Sequence, residues 1–135
     1  MSAGAMERIL AHLQRADEAA VDEVRPSEHG KALLTPSLPL VWALNAVSVE
    51  DPAAGPETLA EEAERVLGDA GHRKLLVDDP EHGARLAPKL AADGWNVYRL
   101  LVMVRDRLPE RPVPAGAGGE VDRETGAAML AAFRR

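Results

Sequence analysis

The sequence predicts a mixed α/β domain, a central mixed sheet with helices on both faces. Three observations carry this. Stretches with apolar residues three or four apart alternate with short apolar runs of strand length. The order they give is helix, strand, strand, helix, strand, helix, strand, a pattern of α/β architecture. Glycine and proline mark most of the transitions.

The first helix is expected from Ala3 to Val24. Met6, Ile9, Leu10, Leu13, Ala20, Val21 and Val24 form its apolar side, and Glu7, Arg8, Arg15, Asp17 and Glu18 fill the positions between. Ser2 is its expected N-cap, and Pro26 ends the pattern. Two strands follow, Lys31 to Thr35 and Leu40 to Val49, separated by Pro36-Ser37-Leu38-Pro39. Proline cannot donate to a ladder, so that segment reads as a turn or bend. Pro56 suits the first position of a second helix, whose stripe is Leu59, Ala63, Val66 and Leu67 and which Gly68 and Gly71 end. Arg73 to Asp78 is a short strand centred on Leu75, Leu76 and Val77. Asp79-Pro80 caps a third helix carrying Leu86, Ala87 and Leu90, which Pro88 should kink and Gly94 should stop. Trp95 to Asp106 is the longest strand signal. Its middle, Leu100 to Val104, is apolar on both parities, as in a strand covered on both faces.

These elements make a domain of residues 1–108. Residues 109–120 hold Pro109, Pro112, Pro114, Gly116, Gly118 and Gly119 and read as a linker. Residues 121–135, with an amphipathic Ala127 to Phe133, read as a docking helix or the start of a second domain. The charge shifts along the chain. Residues 1–98 carry nine basic and seventeen acidic side chains, and residues 99–135 carry seven and five.

Composition excludes several function classes. A net charge of −6 opposes binding to a phosphate backbone. Four aromatics (Trp42, Trp95, Tyr98 and Phe133) are too few for a base-stacking platform. With no cysteine there is no disulfide, thiol chemistry or thiolate metal site. His12, His29, His72 and His82 show no ligand spacing, so no metal is expected. The longest apolar run, Leu38 to Val49, is well short of the ~20 residues that span a bilayer. The beginning lacks the pattern of a signal peptide, so a cytoplasmic protein with no membrane partner is expected. Thirteen Arg against three Lys, with abundant Ala and Gly, point to a GC-rich bacterial genome.

The stretch from His72 to Met103 resembles the last helical crossover of the GNAT acetyltransferase family. Leu75-Leu76-Val77 stands as the strand, Ala84 to Ala92 as the helix, and Gly94-Trp95 as the Gly-aromatic step. The segment from His29 to Glu50 is similar to the amino-terminal half of two-part acetyltransferases from actinobacteria, often a degenerate copy of the catalytic half. The resemblance covers about residues 3–107. It implies a GNAT-like acyltransferase fold, incomplete here, with acetyl-CoA as cofactor and a small amine as acceptor. It also implies a catalytic acetyltransferase half or a homodimer as partner.

The departures from the family are chemical. The family cradles the pyrophosphate of acetyl-CoA on a glycine-rich loop after the central strand, with backbone N–H groups facing the anion. Here that segment is Glu50-Asp51-Pro52-Ala53-Ala54-Gly55-Pro56, with one glycine, two prolines and two carboxylates. The family's general-acid tyrosine, four residues before the Gly-aromatic step, falls on Leu90. The cofactor-binding candidates that remain are Val47, Val49 and Gly55. Trp42 and Asn45, three apart on an expected strand, would face opposite sides of it and are the substrate-binding candidates. No residue is assigned as catalytic.

Other clusters read structurally. Glu28-His29-Gly30 is a turn before it is an acid–base pair. Glu57, Glu61, Glu62 and Glu64 are the solvated face of a helix before they are a cation site. Asp78-Asp79 is a strand end and helix cap before it is a magnesium site. Three functions follow in order: a non-catalytic half that packs on a catalytic one and shapes its cleft; a divergent acetyltransferase using backbone N–H groups of a splayed strand from Ala46 to Val49; and a binding module with a pocket between Trp42 and the strand from Trp95 to Val104.

Overall fold

The computed structural model describes residues 3–103. Its contacts divide the chain into two units, residues 1–98 and 99–135. The first holds every helix and strand described here. The expected linker and terminal helix (109–135) and Ser2 lie outside the described residues.

The elements are α1 (Ala3–Ala20), β1 (Glu23–Ser27), β2 (Gly30–Leu34), a 3-10 turn (Trp42–Leu44), β3 (Ala46–Val49), α2 (Pro56–Val66), β4 (Leu75–Val77) and α3 (Pro80–Ala92). They form a mixed α/β domain on a four-stranded sheet in the order β1-β2-β3-β4. β1, β2 and β3 pair antiparallel, and β3 and β4, joined through α2, pair parallel.

Alternation along the strands sorts the two faces. Ala32, Leu34, Val47, Val49, Leu75 and Val77 point to one side, where they join Leu59, Leu67, Leu86 and Leu90 of α2, its end and α3. Fully burying a leucine such as Leu59 stabilises by about 1.5–3 kcal/mol. Lys31, Ser48, Leu76 and Asp78 take the other side. There Lys31 Nζ meets Glu18 of α1 at 2.9 Å, and Gln14 of α1 donates to Asp78 Oδ2 at 2.8 Å. α2 and α3 thus pack on the first side, and α1 meets the second through these polar contacts. α1 is held by polar contacts at its C-terminal half, and none of its side chains from Gly4 to Ala20 is fully buried.

Three expectations need correction. The first helix stops at Ala20, not Val24, because Val24 belongs to β1, opposite Leu33. β1 contains Pro26, which an edge strand tolerates because its outward side needs no donor. The long strand from Leu40 to Val49 is only Ala46–Val49. Residues 38–44 fold into successive turns, with Leu38 N–H to Thr35 C=O, Val41 N–H to Leu38 C=O and Leu44 N–H to Val41 C=O at 2.9–3.1 Å. Trp95–Met103 is not a strand. Among the described residues no strand lies beside it, and Tyr98, Leu100, Leu101 and Met103 are exposed.

The helix boundaries follow the expected chemistry. Asp79 Oδ1 accepts from the N–H groups of Glu81 (2.8 Å) and His82 (3.1 Å), capping α3. At its other end Gly94 takes φ +90°. Gly94 N–H reaches Ala91 C=O at 3.1 Å and Trp95 N–H reaches Leu90 C=O at 2.9 Å. That is a Schellman close, completed by packing of Trp95 into the core that Leu90 belongs to. α3 runs through Pro88 without a break.

Candidate functional site

The loop between β3 and α2 is where a phosphate cradle would be needed, and the N–H groups of Glu50, Asp51, Ala53 and Ala54 are bonded within the chain, whereas the N-cap of α2, Gly55, makes no side-chain bond. Glu50 and Asp51 N–H groups both donate to His29 C=O, at 2.8 and 3.1 Å. Ala53 N–H donates to Asp51 Oδ1 at 2.9 Å, and Ala54 N–H to Asp51 C=O at 3.3 Å. Pro52 and Pro56 have none to give. The loop's carbonyls are held as well: Arg85 Nη2 donates to Pro52 C=O at 3.1 Å, and buried His82 pairs through Nε2 with Ala54 C=O at 2.9 Å. A Cβ at Gly55 would meet nothing nearer than Glu57 Oε2 at 4.0 Å, so no close packing requires glycine there.

Asp51 turns this loop into an anion of its own. The Ala53 N–H and then the His29 ring hold its carboxyl below the usual aspartate range. An ionised carboxylate inside the loop opposes a pyrophosphate at the same place.

Asp51 also belongs to a polar cluster with Ser27, His29 and Glu62. β1 and β2 meet at a two-residue turn, Glu28-His29, with Ser27 opposite Gly30. His29 Nδ1 lies 3.0 Å from Asp51 Oδ2. Glu62, on α2, is fully buried. Its Oε1 accepts from Ser27 Oγ and, at 3.2 Å, from His29 N–H. His29 Nε2 and Glu62 Oε2 are buried with no hydrogen-bond partner. The cluster ties the hairpin turn, the loop and α2 together, and it can orient an imidazole. Glu62 is thus not on the solvated face expected for the acidic run of α2. It lies three residues after Leu59 and one before Ala63, on the apolar stripe, and that spacing is the sequence signal that reveals it.

The other candidates take separate places. Val47 and Val49 are core residues whose strand is paired on both sides. Val47 N–H donates to Lys74 C=O at 2.9 Å. Leu90 is buried in the core and carries no proton to give. Asn45 is buried: Oδ1 accepts from Thr35 N–H at 2.8 Å, and Nδ2 donates to Leu38 C=O (3.0 Å) and Val41 C=O (3.1 Å). It pins the β2–β3 connection. Trp42 sits on the 3-10 turn, exposed, with Lys74 Nζ 4.6 Å from its ring centroid. Trp42 and Asn45 are not two sides of one strand.

The other tryptophan lines a different feature. An open groove of about 480 Å³ is bounded by Ala60, Glu64, Arg73, Asp93, Gly94, Trp95 and Asn96, without Trp42. Its charges are matched internally. Arg73 grips Glu64 through Nε and Nη2 at 2.6 and 2.8 Å, and its Nη1 donates to the carbonyls of Leu67, Ala70 and His72, each at 2.9 Å. Those bonds close the end of α2. Lys89 holds Asp93 at 2.6 Å. No group of metal-ligating side chains occurs among the described residues, and no described helix is long and apolar enough to cross a membrane.

Fold and site together define a mixed α/β domain with a four-stranded sheet and an inward-bonded β3–α2 loop. In comparisons with known proteins the chain matches no family model, no curated protein and no solved structure.

Proposed function

We propose that this chain is a GNAT-like member of the acetyltransferase family serving as a non-catalytic amino-terminal half. It packs on a catalytic acetyltransferase half and shapes that half's cleft, and it does not itself bind acetyl-CoA. The observation that carries this reading is the β3–α2 loop. Its N–H groups at 50, 51, 53 and 54 bond within the chain, and Asp51 puts a negative charge where the family places a phosphate. These bonded donors and this charge argue against a pyrophosphate at the loop.

Two further features support the reading. The mixed α/β arrangement, with β3 and β4 parallel and joined through α2, is compatible with the reading, although the order has one more strand before α2 than expected and no described strand after α3. Leu90, buried, stands where the family has a proton donor. The first reading is preferred over the divergent-transferase one because β3 pairs with both neighbours from Val47 to Val49, whereas that alternative uses the N–H groups of a splayed strand.

The test is calorimetric titration of acetyl-CoA into the full chain. No heat at millimolar cofactor is the expected result. Binding tighter than about 100 μM, or roughly −5.5 kcal/mol, would overturn the proposal.

A further inference from the structure

We propose that the outer edge of β4 is a two-fold self-association surface, at which β4 of a second copy pairs antiparallel and continues the sheet from one chain into the other. The proposal rests on the partner-packing reading above and names a second copy as one partner.

The two edges of the sheet are built differently. β1 guards its edge with Glu23, Arg25 and Pro26, and Glu23 and Arg25 pair at 2.9 Å. Charges and proline on an edge discourage further pairing. β4 presents Leu75, Leu76 and Val77, partly exposed, and among the described residues no strand pairs with its outer side.

The sequence around β4 is complementary to itself. Arg73-Lys74-Leu75-Leu76-Val77-Asp78-Asp79 has basic residues before the apolar centre and acidic ones after it, at equal distances from Leu76. An antiparallel pair with its two-fold axis at Leu76 sets Leu76 against its copy and Leu75 against Val77. It also sets Lys74 against Asp78. Residues directly opposite lie on the same face, so each match is between side chains that meet. A two-fold interface is isologous, and every contact occurs twice. Parallel pairing would bring like charges together instead.

Lys74 and Asp78 are the charges available to this pair. Arg73 is held by Glu64 and three carbonyls, and Asp79 caps α3. Asp78 is exposed and accepts one bond, from Gln14. Lys74 lies against Trp42, with the charge of Asp17 on α1 near it. Burial pushes its ammonium below the usual lysine range, so a facing carboxylate restores what desolvation removes. Leu40 and Trp42 add exposed apolar surface at the start of β4, Leu40 packing over Gly71.

Sedimentation equilibrium of the full chain tests the proposal, and it is read independently of any acetyl-CoA titration. A concentration-dependent dimer that weakens as salt rises is expected. Lys74→Asp or Asp78→Lys alone should weaken association roughly tenfold or more, because each sets like charges opposite each other twice. The double variant K74D/D78K should restore it. Amide exchange at Leu75–Val77 in the unmodified chain should slow as the dimer forms, a readout that does not depend on how a variant folds. A monomer at millimolar concentration overturns the proposal. So does a dimer indifferent to both single reversals, which would lie elsewhere, for example on the apolar run of residues 98–103.

Discussion

Asn45 shows how one side chain can hold a connection that lacks regular structure. Thr35 is completely buried, and its N–H has the Asn45 side chain as acceptor. Asn45→Ala leaves that donor without a partner, which costs about 1–3 kcal/mol. Urea unfolding should show the loss as a lower midpoint with unchanged slope, and an unshifted midpoint would refute the role. Gly30 is constrained by space. A Cβ there would lie 2.0 Å from Ser48 C=O, and that carbonyl belongs to β3, which cannot step aside. Gly30→Ala should therefore destabilise by at least about 2 kcal/mol, near the upper part of the overpacking range. A near-neutral alanine would mean that the hairpin can slide on β3.

Elements were legible from the sequence in proportion to how local their causes are. α3 was readable because stripe, cap and stop are all local to it, and α2 because of Pro56 and its stripe, although its end is closed by Arg73 rather than by a glycine. Pro56, Asp79 and Gly94 take the roles that their chemistry suggests. β1 was not readable, because an exposed edge strand has no apolar alternation and Pro26 argues against it. The stretch from Leu40 to Leu44 misled because Asn45, inside the apolar run, bonds back to Thr35, Leu38 and Val41 and holds it in turns. Trp95 to Asp106 carried the longest strand signal, yet its described part to Met103 forms no strand, because pattern alone does not form one without a neighbour to accept its bonds. The polar cluster was half legible. His29 and Glu28 stood out, whereas Glu62 was hidden in a run of acidic helix residues. The C-terminal close of α3 offers a test at this scale. Gly94 is the one described residue with positive φ, and Gly94→Ala should cost roughly 1–2 kcal/mol. The effect should appear as faster amide exchange at Gly94 and Trp95, whose N–H groups make the closing bonds. Faster exchange at Asp79–Gly83 alone would not fit.

At the scale of the molecule the acid side of the stability profile is set by carboxyls that the fold holds ionised. Asp51, Glu64 and Asp79 are all held below their usual values, by the Ala53 N–H and His29, by Arg73, and by the His82 and Glu81 N–H groups respectively. The unfolded chain therefore takes up these protons first. Their contribution is complete above the ordinary carboxylate range, near pH 4, and is lost as pH falls through that range to the lower folded values. An opposing effect acts over part of the same descent. The chain carries a net charge of −6 at pH 7, and acid first relieves that repulsion. The two separate by position. Repulsion is spread over the surface, whereas Asp51 acts at one loop. Asp51→Asn keeps an oxygen for the Ala53 N–H, removes the titration, and replaces the charged contact to His29 with an amide. Its urea midpoint should thus lie below that of the unmodified chain at pH 7 and approach it as pH falls below the ordinary carboxylate range. If the two curves stay parallel across that interval, Asp51 is not ionised against the loop, and the electrostatic case against a bound pyrophosphate falls with it.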